Sequence, residues 1–467
     1  MSSRHEAKVA KLQHQIAKFY KTKTPFKIYH GSTNSTRIQE FRRDQTVDAS
    51  NLTGILEVTP PQRFVRVEPN VPMDKLVRET LRFNLIPEVV MEFPGITVGG
   101  GVAGVGGESS SFRYGVFSET CESLEVITPD GQLHEVSQNR EAELYHGLGG
   151  SFGTLGVLTA VQVRLIPAKK FVNLTYFPIK DFRESVEKLK NLAKENYDYL
   201  DGIMFADRRG VIMAGRLSDE KIGKIQHFSR SRDDWFYLHA DKISRKLTSE
   251  NFIETVPIRD YLFRYDRGAF WVGKYAFEVF GVPFNRFSRM ILNPILHTRK
   301  LYEALQESGA SQQFLTQDLG LPFVKAVEFM EFIDRKFVTY PLWLCPLKPN
   351  DHSPFQLNNM KTPLAINVGV WGNRIENYDE FVRQNRELEA ELLRLGGKKW
   401  LYAQSFYPEK DFVKMFDTKN YKKLREKYHA EYLPSVYDKV SVTKYWPVEI
   451  KRGLWRTIFR QAKLRVQ

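Results

Sequence analysis

The chain has 467 residues, a net charge of +14, 42% apolar residues and 27% charged residues. This length exceeds one ordinary domain of roughly 100–200 residues, so two or three domains are predicted, and the composition excludes a globally disordered chain. The positive charge suits nucleic acid or an anionic membrane surface, but no zinc-finger, RNP or helix-turn-helix pattern is present, so nucleic acid is not a predicted partner.

Cysteines and apolar runs limit the classes of protein further. The two cysteines, Cys121 and Cys345, lie far apart and neither has a CxxC spacing, so no zinc site is predicted and a reducing intracellular compartment is favoured. No apolar signal segment follows Met1, and no uncharged apolar run reaches the roughly 18–20 residues that span a bilayer. The sequence therefore does not predict a transmembrane helix.

The first third of the chain predicts a mixture of strands and helices. In chain order, the predicted elements are a Lys-rich helix at 5–23, two strands within 53–68, a helix at 72–84, a hairpin at 123–136 and a long strand at 157–165. The hairpin has the clearest signal, because residues alternate on both sides of a Pro129-Asp130-Gly131 turn. Pro167 ends the last strand, so an α+β domain is expected to end near Ala168.

Longer helical patterns follow, mixed with further strands. The predicted helices are 180–197, 297–307, 322–336 and 376–396. The segment from Phe270 to Leu296 is rich in Phe, Trp, Met and Ile, but Lys274 and Glu278 argue against a membrane-spanning helix. Two alternatives stay open for this segment: buried core, or an apolar lip that rests in a bilayer near a substrate entrance.

The C-terminal residues 446–467 are predicted to form a basic amphipathic tail. They contain six Lys and Arg residues and one acidic residue, Glu449. Four apolar residues share one helical face, namely Trp455, Ile458, Phe459 and Ala462. The pattern is typical of an interfacial membrane helix, and a terminal helix docked on the protein's own core is the alternative.

The segment from Thr97 to Ser111 has the most informative composition, with six glycines between residues 99 and 107. Glycine permits positive φ and close backbone approach, and the amides of such a loop can bind a phosphate. Three of the glycines match GxGxxG, but the loop runs into a short polar segment rather than a long helix, which disfavours a Rossmann fold. The alternative is a surface loop without a ligand.

The order of motifs is more specific than the glycines alone. The Gly-rich loop, the hairpin, a second glycine-rich stretch at 143–156 and the alternating strand follow one another closely. This order resembles the FAD-binding domain of the vanillyl-alcohol oxidase and p-cresol methylhydroxylase (PCMH) flavoprotein superfamily. Within it, Thr97–Ser111, 153–170 and Tyr340–Pro346 resemble the delta-24-sterol reductases. Those reductases usually carry an apolar N-terminal membrane segment, whereas this sequence begins with a basic helix, so membrane anchoring is left open.

The resemblance implies a domain organisation and a cofactor. It implies an α+β fold with a two-part PCMH-type FAD-binding domain and an α+β cap, divided as 1–168 (FAD domain), 169–405 (cap), 406–445 (return to the FAD domain) and 446–467 (tail). FAD would bind non-covalently, against residues 27–36 as a first phosphate-contacting loop and against the Gly-rich loop. The implied cofactor-binding residues are Gly31, Ser32, Thr97, Val98, Gly99, Gly100, Gly101, Val102, Ala103, Gly104, Val105, Gly106, Gly107, Glu108, Ser109, Ser110, Gly153, Gly156 and Val157.

The implied reaction is NADPH-driven reduction of the delta-24 side-chain double bond of a sterol or sterol-like lipid. An oxidase that passes electrons from an alcohol, sugar or secondary metabolite to oxygen is the alternative, and a binding module that has lost turnover is a third. Thr316 and Gln317 are the candidate substrate contacts, and Tyr340, Asp318 and Tyr402 are the candidate catalytic residues. The expected location is the cytosolic face of the endoplasmic reticulum membrane, with the cytoplasm as the alternative.

Overall fold

The computed structural model describes residues 2–31, 34–247, 249–458 and 465–466. Two antiparallel sheets follow one another along the chain, the first within residues 55–167 and the second within residues 171–399. Helices and strands are both abundant, and the predicted α+β class is confirmed.

The first sheet carries the predicted hairpin and the predicted long strand. Its strands are β4 (Ile55–Thr59), β5 (Phe64–Val67), β6 (Leu85–Pro87), β7 (Cys121–Ile127), β8 (Leu133–Ser137) and β9 (Val157–Pro167). They are ordered β4-β5-β9-β7-β8, and β6 pairs with β9. Gly131 turns the β7–β8 hairpin at a φ of +90°, which only glycine adopts without strain. Both predictions are confirmed.

Short helices connect and cover this sheet. They are α1 (Ser2–Thr22), α2 (Met73–Leu81), α3 (Val98–Ala103), α4 (Ser111–Tyr114) and α5 (Ala142–Leu148), with 3₁₀ turns at Arg43–Gln45 and Phe117–Thr120. The predicted N-terminal helix is confirmed as α1, which buries Val9, Leu12 and Ile16. Two short parallel pairs complete this part: β1 (Lys27–Tyr29) with β3 (Thr46–Asp48), and β2 (Glu40–Phe41) with β18 (Arg465–Val466).

The second sheet has eight strands in the order β13-β10-β12-β11-β15-β16-β14-β17. They are β10 (Phe171–Ile179), β11 (Tyr199–Ala206), β12 (Arg209–Ser218), β13 (Phe252–Pro257), β14 (Phe314–Pro322), β15 (Leu342–Leu347), β16 (Ala365–Arg374) and β17 (Lys398–Lys399). Because side chains alternate along a strand, the sheet has two distinct faces. Leu344 and Val368 belong to one core, whereas Trp343 and Trp371 belong to another.

Helices cover the two faces of the second sheet unequally. The helices are α6 (Phe182–Leu192), α7 (Phe236–Lys246), α8 (Ile258–Leu262), α9 (Lys274–Phe280), α10 (Arg286–Leu292), α11 (Thr298–Ser308), α12 (Ala326–Phe337) and α13 (Tyr378–Arg394), with 3₁₀ turns at Asn293–Ile295, Ala310–Gln312 and Phe323–Lys325. Leu189 of α6, Phe329 of α12 and Leu388 of α13 pack on the face that carries Leu344. On the opposite face, Phe236 of α7 and Tyr261 of α8 cover one part of the sheet. The part that carries Trp343 and Trp371 forms a cavity wall.

The chain then returns to the first sheet. Helices α14 (Glu409–Met415), α15 (Thr418–Lys427) and α16 (Val436–Val440) follow the second sheet. Phe412, Tyr421 and Val436 belong to the same core as Val161 of β9. A return of the chain to the first domain would produce this packing. The limits of the domains stay a prediction.

The aromatic segment 270–296 is buried in its first half and exposed in its second, and contact with a bilayer stays a prediction. Phe270, Trp271 and Phe277 are buried, whereas Phe287 is 67% and Ile291 is 57% exposed. The first half of the segment is therefore core, and α10 presents apolar side chains at the surface. No helix in the part of the chain that the structure describes is long and apolar enough to cross a bilayer.

The basic tail forms helix α17 (Ile450–Ile458), which packs on α11. Gly453 makes this contact possible, because a Cβ there would lie 2.4 Å from the Cβ of Ser308. Trp455 is 54% exposed on another side of the helix. Phe459 and Ala462, which the sequence placed on the same face, lie outside the described residues.

Candidate functional site

A cavity of about 520 Å³ lies between the Gly-rich segment and the tryptophan-bearing face of the second sheet. Thr97, Gly100 and Gly104 line it on one side, and Trp343 and Trp371 line it on the other. Its volume falls in the range of about 300–1,000 Å³ that is usual for small-molecule sites.

The Gly-rich segment is partly helical rather than an open loop. Residues 98–103 form α3, whose first turn is capped by Thr97, since Thr97 Oγ1 accepts a hydrogen bond from the Gly100 amide at 3.1 Å. Val98 and Val102 are one helical turn apart and both are buried. The prediction of an irregular loop is therefore wrong for residues 98–103, because a cap and two buried valines outweigh the low helix propensity of glycine.

Close packing explains why this helix is built from glycine. A Cβ at Gly101 would lie 2.5 Å from Met91 Cε, and one at Gly107 would lie 2.9 Å from Trp400 Cζ2. Such contacts cannot be made by a larger residue without movement of the neighbours. The glycines thus bring the backbone against the core on one side and against the cavity on the other.

The predicted cofactor-binding residues divide into two groups. Those that line the cavity are Thr97, Gly99, Gly100, Gly101, Ala103, Gly104, Gly106, Gly107, Gly153 and Gly156. Those that do not are Gly31, Val98, Val102, Val105, Glu108, Ser109, Ser110 and Val157. The valines are buried in the core, Ser109 Oγ donates to Glu108 Oε1 at 2.8 Å, and Ser110 Oγ donates to the Glu88 carbonyl at 2.9 Å. Ser32 lies outside the described residues.

Three basic side chains, Lys27, Arg37 and Lys439, line another part of the cavity beside His30 and are called here the cation cluster. Arg37 Nη1 donates to the Lys439 carbonyl at 2.9 Å, and Lys439 Nζ donates to the Phe152 carbonyl at 2.6 Å. Lys27 Nζ likewise donates to a backbone carbonyl. Within the described ranges, no carboxylate forms an ion pair with any of the three or with His30.

The electrostatics of the cation cluster favour an anionic guest. Burial, together with Arg37 and Lys27 nearby, lowers the pKa of Lys439 to about 7. Burial also lowers the pKa of Arg37 to about 10 and that of His30 to about 4. Buried cations are unfavourable unless an opposite charge accompanies them. A diphosphate, with its two negative charges and its acceptor oxygens, fits this part of the cavity.

Two of these cations had no signal in the sequence. Residues 27–36 were predicted to contact phosphate, but Arg37 and Lys439 lie 402 residues apart and match no motif. Only the fold brings them together. His30 faces the cavity, and its lowered pKa keeps the ring neutral at physiological pH.

Asp318 and Tyr402, two of the three predicted catalytic residues, meet in the cavity. Tyr402 Oη donates to Asp318 Oδ2 at 2.5 Å, and Asn367 Nδ2 donates to Asp318 Oδ1 at 2.8 Å. Burial raises the pKa of Asp318 to about 6, and the hydrogen bonds from Asn367 and Tyr402 oppose a larger rise. Thr316, two residues before Asp318 on β14, also lines the cavity.

Gln317 and Tyr340 do not reach the cavity. Gln317 points to the opposite face of β14, where Nε2 donates to Asn385 Oδ1 at 2.6 Å, because consecutive strand residues alternate. Tyr340 donates to Asp334 Oδ1 at 2.7 Å and packs beside the core on that opposite face. Neither side chain lines the site that was predicted to contain it.

An aromatic wall and one acidic residue in the cavity were not predicted. The wall comprises Phe93, Phe270, Tyr302, Trp343, Trp371 and Trp400. The acidic residue is Glu92, which lines the cavity although it is only 7% exposed. The sequence did contain one signal for Glu92: it is a charged residue within an apolar run, between Met91 and Phe93 and after two valines. Charged residues are seldom fully buried without a reason.

Comparison with known proteins agrees with this geometry. The FAD binding domain family matches residues 6–137. The Delta(24)-sterol reductase of Homo sapiens is 28% identical, in an alignment that covers 93% of this chain and 86% of the relative. The Delta(24)-sterol reductases of Arabidopsis thaliana and Pisum sativum are each 30% identical to this chain. Each alignment covers 82% of this chain and 74% of the relative. The chain therefore belongs to the Delta(24)-sterol reductase family of proteins with an FAD binding domain.

Proposed function

We propose that the protein is an FAD-dependent oxidoreductase that reduces the delta-24 side-chain double bond of a sterol or sterol-like lipid, with NADPH as the electron donor. One observation carries this proposal: a single cavity joins a cation cluster, which has no ion pair with a carboxylate of the described residues, to an aromatic wall that contains a buried acid–tyrosine pair. The names of the relatives and the matched FAD binding domain support the same reaction.

Each part of the cavity has a role in binding the cofactor. We assign the FAD diphosphate to the cation cluster and to backbone amides of the adjacent loops. Gly104, Gly106 and Gly107 also line the cavity, and their missing side chains let the backbone pack closely on the Gly100 carbonyl, Met91 and Trp400. When bound, FAD supplies hydride transfer, which no amino-acid side chain provides.

The remaining wall suits an apolar substrate. Phe270, Trp343 and Trp371 form a contiguous aromatic cluster, with ring centroids of Phe270 and Trp371 4.1 Å apart. A sterol is almost entirely hydrocarbon, so burial against these rings is favourable at roughly 25 cal/mol per Å². The wall also excludes water from the reacting carbon atoms.

Asp318 and Tyr402 provide the polar contact at this wall. Since the pKa of Asp318 is about 6, its carboxyl group is mostly ionised at neutral pH and accepts the hydrogen bond from Tyr402. Protonation of an alkene develops positive charge on the more substituted carbon atom, and a carboxylate held in a low-dielectric wall stabilises such charge. Thr316 is retained as a candidate substrate contact.

Access from a membrane surface is part of the same proposal. Val279 and Ala276 of α9 line the cavity, while Phe280, Phe287, Met290 and Ile291 are exposed on the end of α9 and on α10. The guanidinium group of Arg286, the first residue of α10, lies beside this surface and donates a hydrogen bond to the Arg232 carbonyl at 3.4 Å. Exposed apolar side chains beside basic groups suit an anionic lipid leaflet. We propose peripheral binding at the cytosolic face of the endoplasmic reticulum membrane.

Rapid-reaction spectroscopy tests the proposed reaction in two steps. The purified, FAD-loaded protein is mixed anaerobically with NADPH, and loss of the oxidised flavin absorbance is expected. The reduced protein is then mixed with a delta-24 sterol in detergent, and return of that absorbance together with the saturated sterol is expected. A flavin that NADPH does not reduce, or a reduced flavin that only oxygen reoxidises, would contradict the proposal and favour the oxidase.

A further inference from the structure

We propose that Glu92 is the catalytic proton donor for the alkene, and that Glu108 is the positioning residue that keeps Glu92 oriented and protonated between turnovers. This inference rests on the proposed function and adds the identity of the acid. It concerns a carboxyl pair, Glu92 and Glu108, of which Glu92 lines the cavity together with Tyr302 and Asp318.

The pair contains fewer hydrogen bonds than two ionised carboxylates would need. The carboxyl groups of Glu92 and Glu108 are in hydrogen-bonding contact with each other. Glu92 Oε1 and Glu108 Oε2 are buried, and within the described residues neither has a conventional donor. Two carboxylates in contact cannot both be ionised in a low-dielectric interior, so the pair holds a proton.

The surroundings decide which partner holds the negative charge. Glu108 Oε1 accepts hydrogen bonds from the amide and the hydroxyl of Ser109, both at 2.8 Å, and Arg264 Nη2 lies 3.6 Å away. Arg264 is itself held by Asp201 at 2.9 Å. Glu92 has no comparable donor among the described residues. The charge therefore resides on Glu108 and the proton on Glu92, which is the member of the pair that reaches the cavity.

Burial raises the pKa of both groups, but at Glu108 the hydrogen bond with Glu92, the charge of Arg264 and the Ser109 amide oppose the rise. Burial raises the pKa of Glu92 well above its usual value, and the charge and hydrogen bond of Glu108 raise it further, while Arg264 opposes the rise. Tyr302, Tyr402 and Cys345 also face Glu92, and all three have raised pKa values, so they remain neutral at physiological pH. Glu92 is thus a neutral carboxylic acid at a pH where Asp318 is mostly ionised.

The proton balance of the reaction assigns one step to Glu92. Its O–H bond breaks, and the proton forms a C–H bond with one alkene carbon atom. The hydride that reduced FAD supplies forms the C–H bond with the other carbon atom, so two electrons leave the cofactor and the alkene is reduced. Glu92 is then a carboxylate beside the Glu108 carboxylate, an unfavourable state that ends when Glu92 takes a proton from water in the open cavity.

The half-reactions separate this role from a structural one. In Glu92→Gln the side chain keeps its size but has no acidic proton. Flavin content and flavin reduction by NADPH are expected to stay near wild type, while reoxidation by a delta-24 sterol slows by about 100-fold or more. Glu92→Asp is expected to recover part of the rate. Glu122→Gln, at an exposed carboxylate on β7, serves as the control and should reoxidise normally.

A pH profile tests Glu108 without relying on a single variant. In the wild type, reoxidation is expected to slow as pH rises through the upper pKa of the pair. In Glu108→Gln the neighbouring charge is gone, so the pKa of Glu92 falls and this limb moves to lower pH. A wild-type reoxidation rate in Glu92→Gln, or an unmoved limb in Glu108→Gln, would overturn the inference. Failure of the proposed function itself would differ, because the wild type would then lack one or both half-reactions.

Discussion

Arg37 Nη1 donates a hydrogen bond to the backbone carbonyl of Lys439 at 2.9 Å, although 402 residues separate them in the sequence. The contact joins the segment after β1 to helix α16 at the cavity wall. Both side chains are cations, and burial lowers the pKa of each. Such an arrangement is unfavourable in isolation, so it is expected to be stabilised by a bound anion.

Removal of either cation should weaken FAD binding. Arg37→Met and Lys439→Met each delete a charge that we assign to the diphosphate, and each is expected to raise the Kd for FAD by about 10–100-fold, as charge-assisted hydrogen bonds are worth about 1.5–3 kcal/mol. Quenching of flavin fluorescence on titration into the apoprotein measures this change. Lys410→Met, at an exposed lysine of α14, is the matched control and should bind FAD normally. Unchanged Kd values in both cavity variants would rule out this site for the diphosphate.

The lowered pKa of Lys439 also predicts that the protein takes up a proton when it binds FAD. Its pKa in the apoprotein is about 7, below its usual 10.5, so near pH 8 it is mostly neutral. A bound diphosphate favours the charged form and raises this pKa, so FAD binding should take up close to one proton near pH 8. The affinity should then fall as pH rises through the pKa of Lys439 in the complex. Calorimetry in two buffers with different ionisation enthalpies measures the uptake, which Lys439→Met should abolish.

The lowered pKa of Lys439 also determines whether the stability of the apoprotein rises or falls with pH. Between about pH 7 and 10.5 the unfolded chain holds a proton on Lys439 that the folded protein lacks. The free energy of unfolding of the apoprotein should therefore gain a rising contribution with pH across this window. Denaturant titrations of the wild type and Lys439→Met would show it, and parallel curves for the two proteins would contradict it.

Gly104 tests whether the Gly-rich segment forms a wall of the FAD site. A Cβ at this position would lie 2.8 Å from the Gly100 carbonyl oxygen, so Gly104→Val should displace the end of α3 and abolish flavin retention. Gly396→Val is a useful control, because Gly396 has a φ of +72° and strains a larger residue far from the cavity. The control is expected to lose stability by about 1–2 kcal/mol and keep its flavin. A yellow, fully loaded Gly104→Val protein would count against the site.

The exposed face of α10 predicts membrane binding. Phe287→Asp combined with Ile291→Asp places two charges where we propose contact with lipid, so flotation with vesicles of phosphatidylcholine and phosphatidylserine should be lost while flavin content is kept. Val324→Asp, at an 82% exposed position beside α12, is the control and should float as the wild type does. Equal flotation of all three proteins would show that another surface binds the membrane.

The sequence was sufficient for the elements with strong local signals. The β7–β8 hairpin, β9 and α1 follow from alternation, a Pro-Asp-Gly turn and helical spacing, all of which are properties of neighbouring residues. The order of glycine-rich motifs indicated an FAD domain for the same reason. Asp318 and Tyr402 were named as candidate catalytic residues through the family resemblance, and the fold places their side chains in contact.

The remaining parts of the site depend on contacts between distant segments. Lys439, Glu92 and Trp371 reach one cavity only because α16, the segment before the Gly-rich helix and β16 are folded together. The prediction that Gln317 contacts the substrate was wrong, because Gln317 is one residue away from Asp318 on the strand and its side chain points to the opposite face. Propensity alone also missed α3, where the Thr97 cap and two buried valines determine the conformation.

His5 provides a test of how helix α1 is attached to the first sheet. Its Nδ1 contacts Glu68 Oε1 at 2.9 Å and its Nε2 contacts Glu125 Oε1 at 3.0 Å. Hydrogen bonds to Glu125 and Glu68 raise the pKa of His5 to about 9, and the pKa of Glu68 is lowered to about 2, because the hydrogen bonds from His5 and Lys8 outweigh its burial. His5→Gln is therefore expected to destabilise the protein by about 1–3 kcal/mol.

The pH dependence of this effect follows from the two shifts. The contribution of His5 is complete below its unfolded pKa of 6.5 and is lost as pH rises through about 9, whereas that of Glu68 is complete above 4.5 and is lost as pH falls through about 2. The difference in melting temperature between the wild type and His5→Gln should be largest near pH 5–6 and should shrink above pH 9. His14→Gln, at an exposed histidine on the same helix, should melt as the wild type does at every pH. A deficit in His5→Gln that is equally large at pH 6 and pH 10 would show that the ring contributes packing rather than charge.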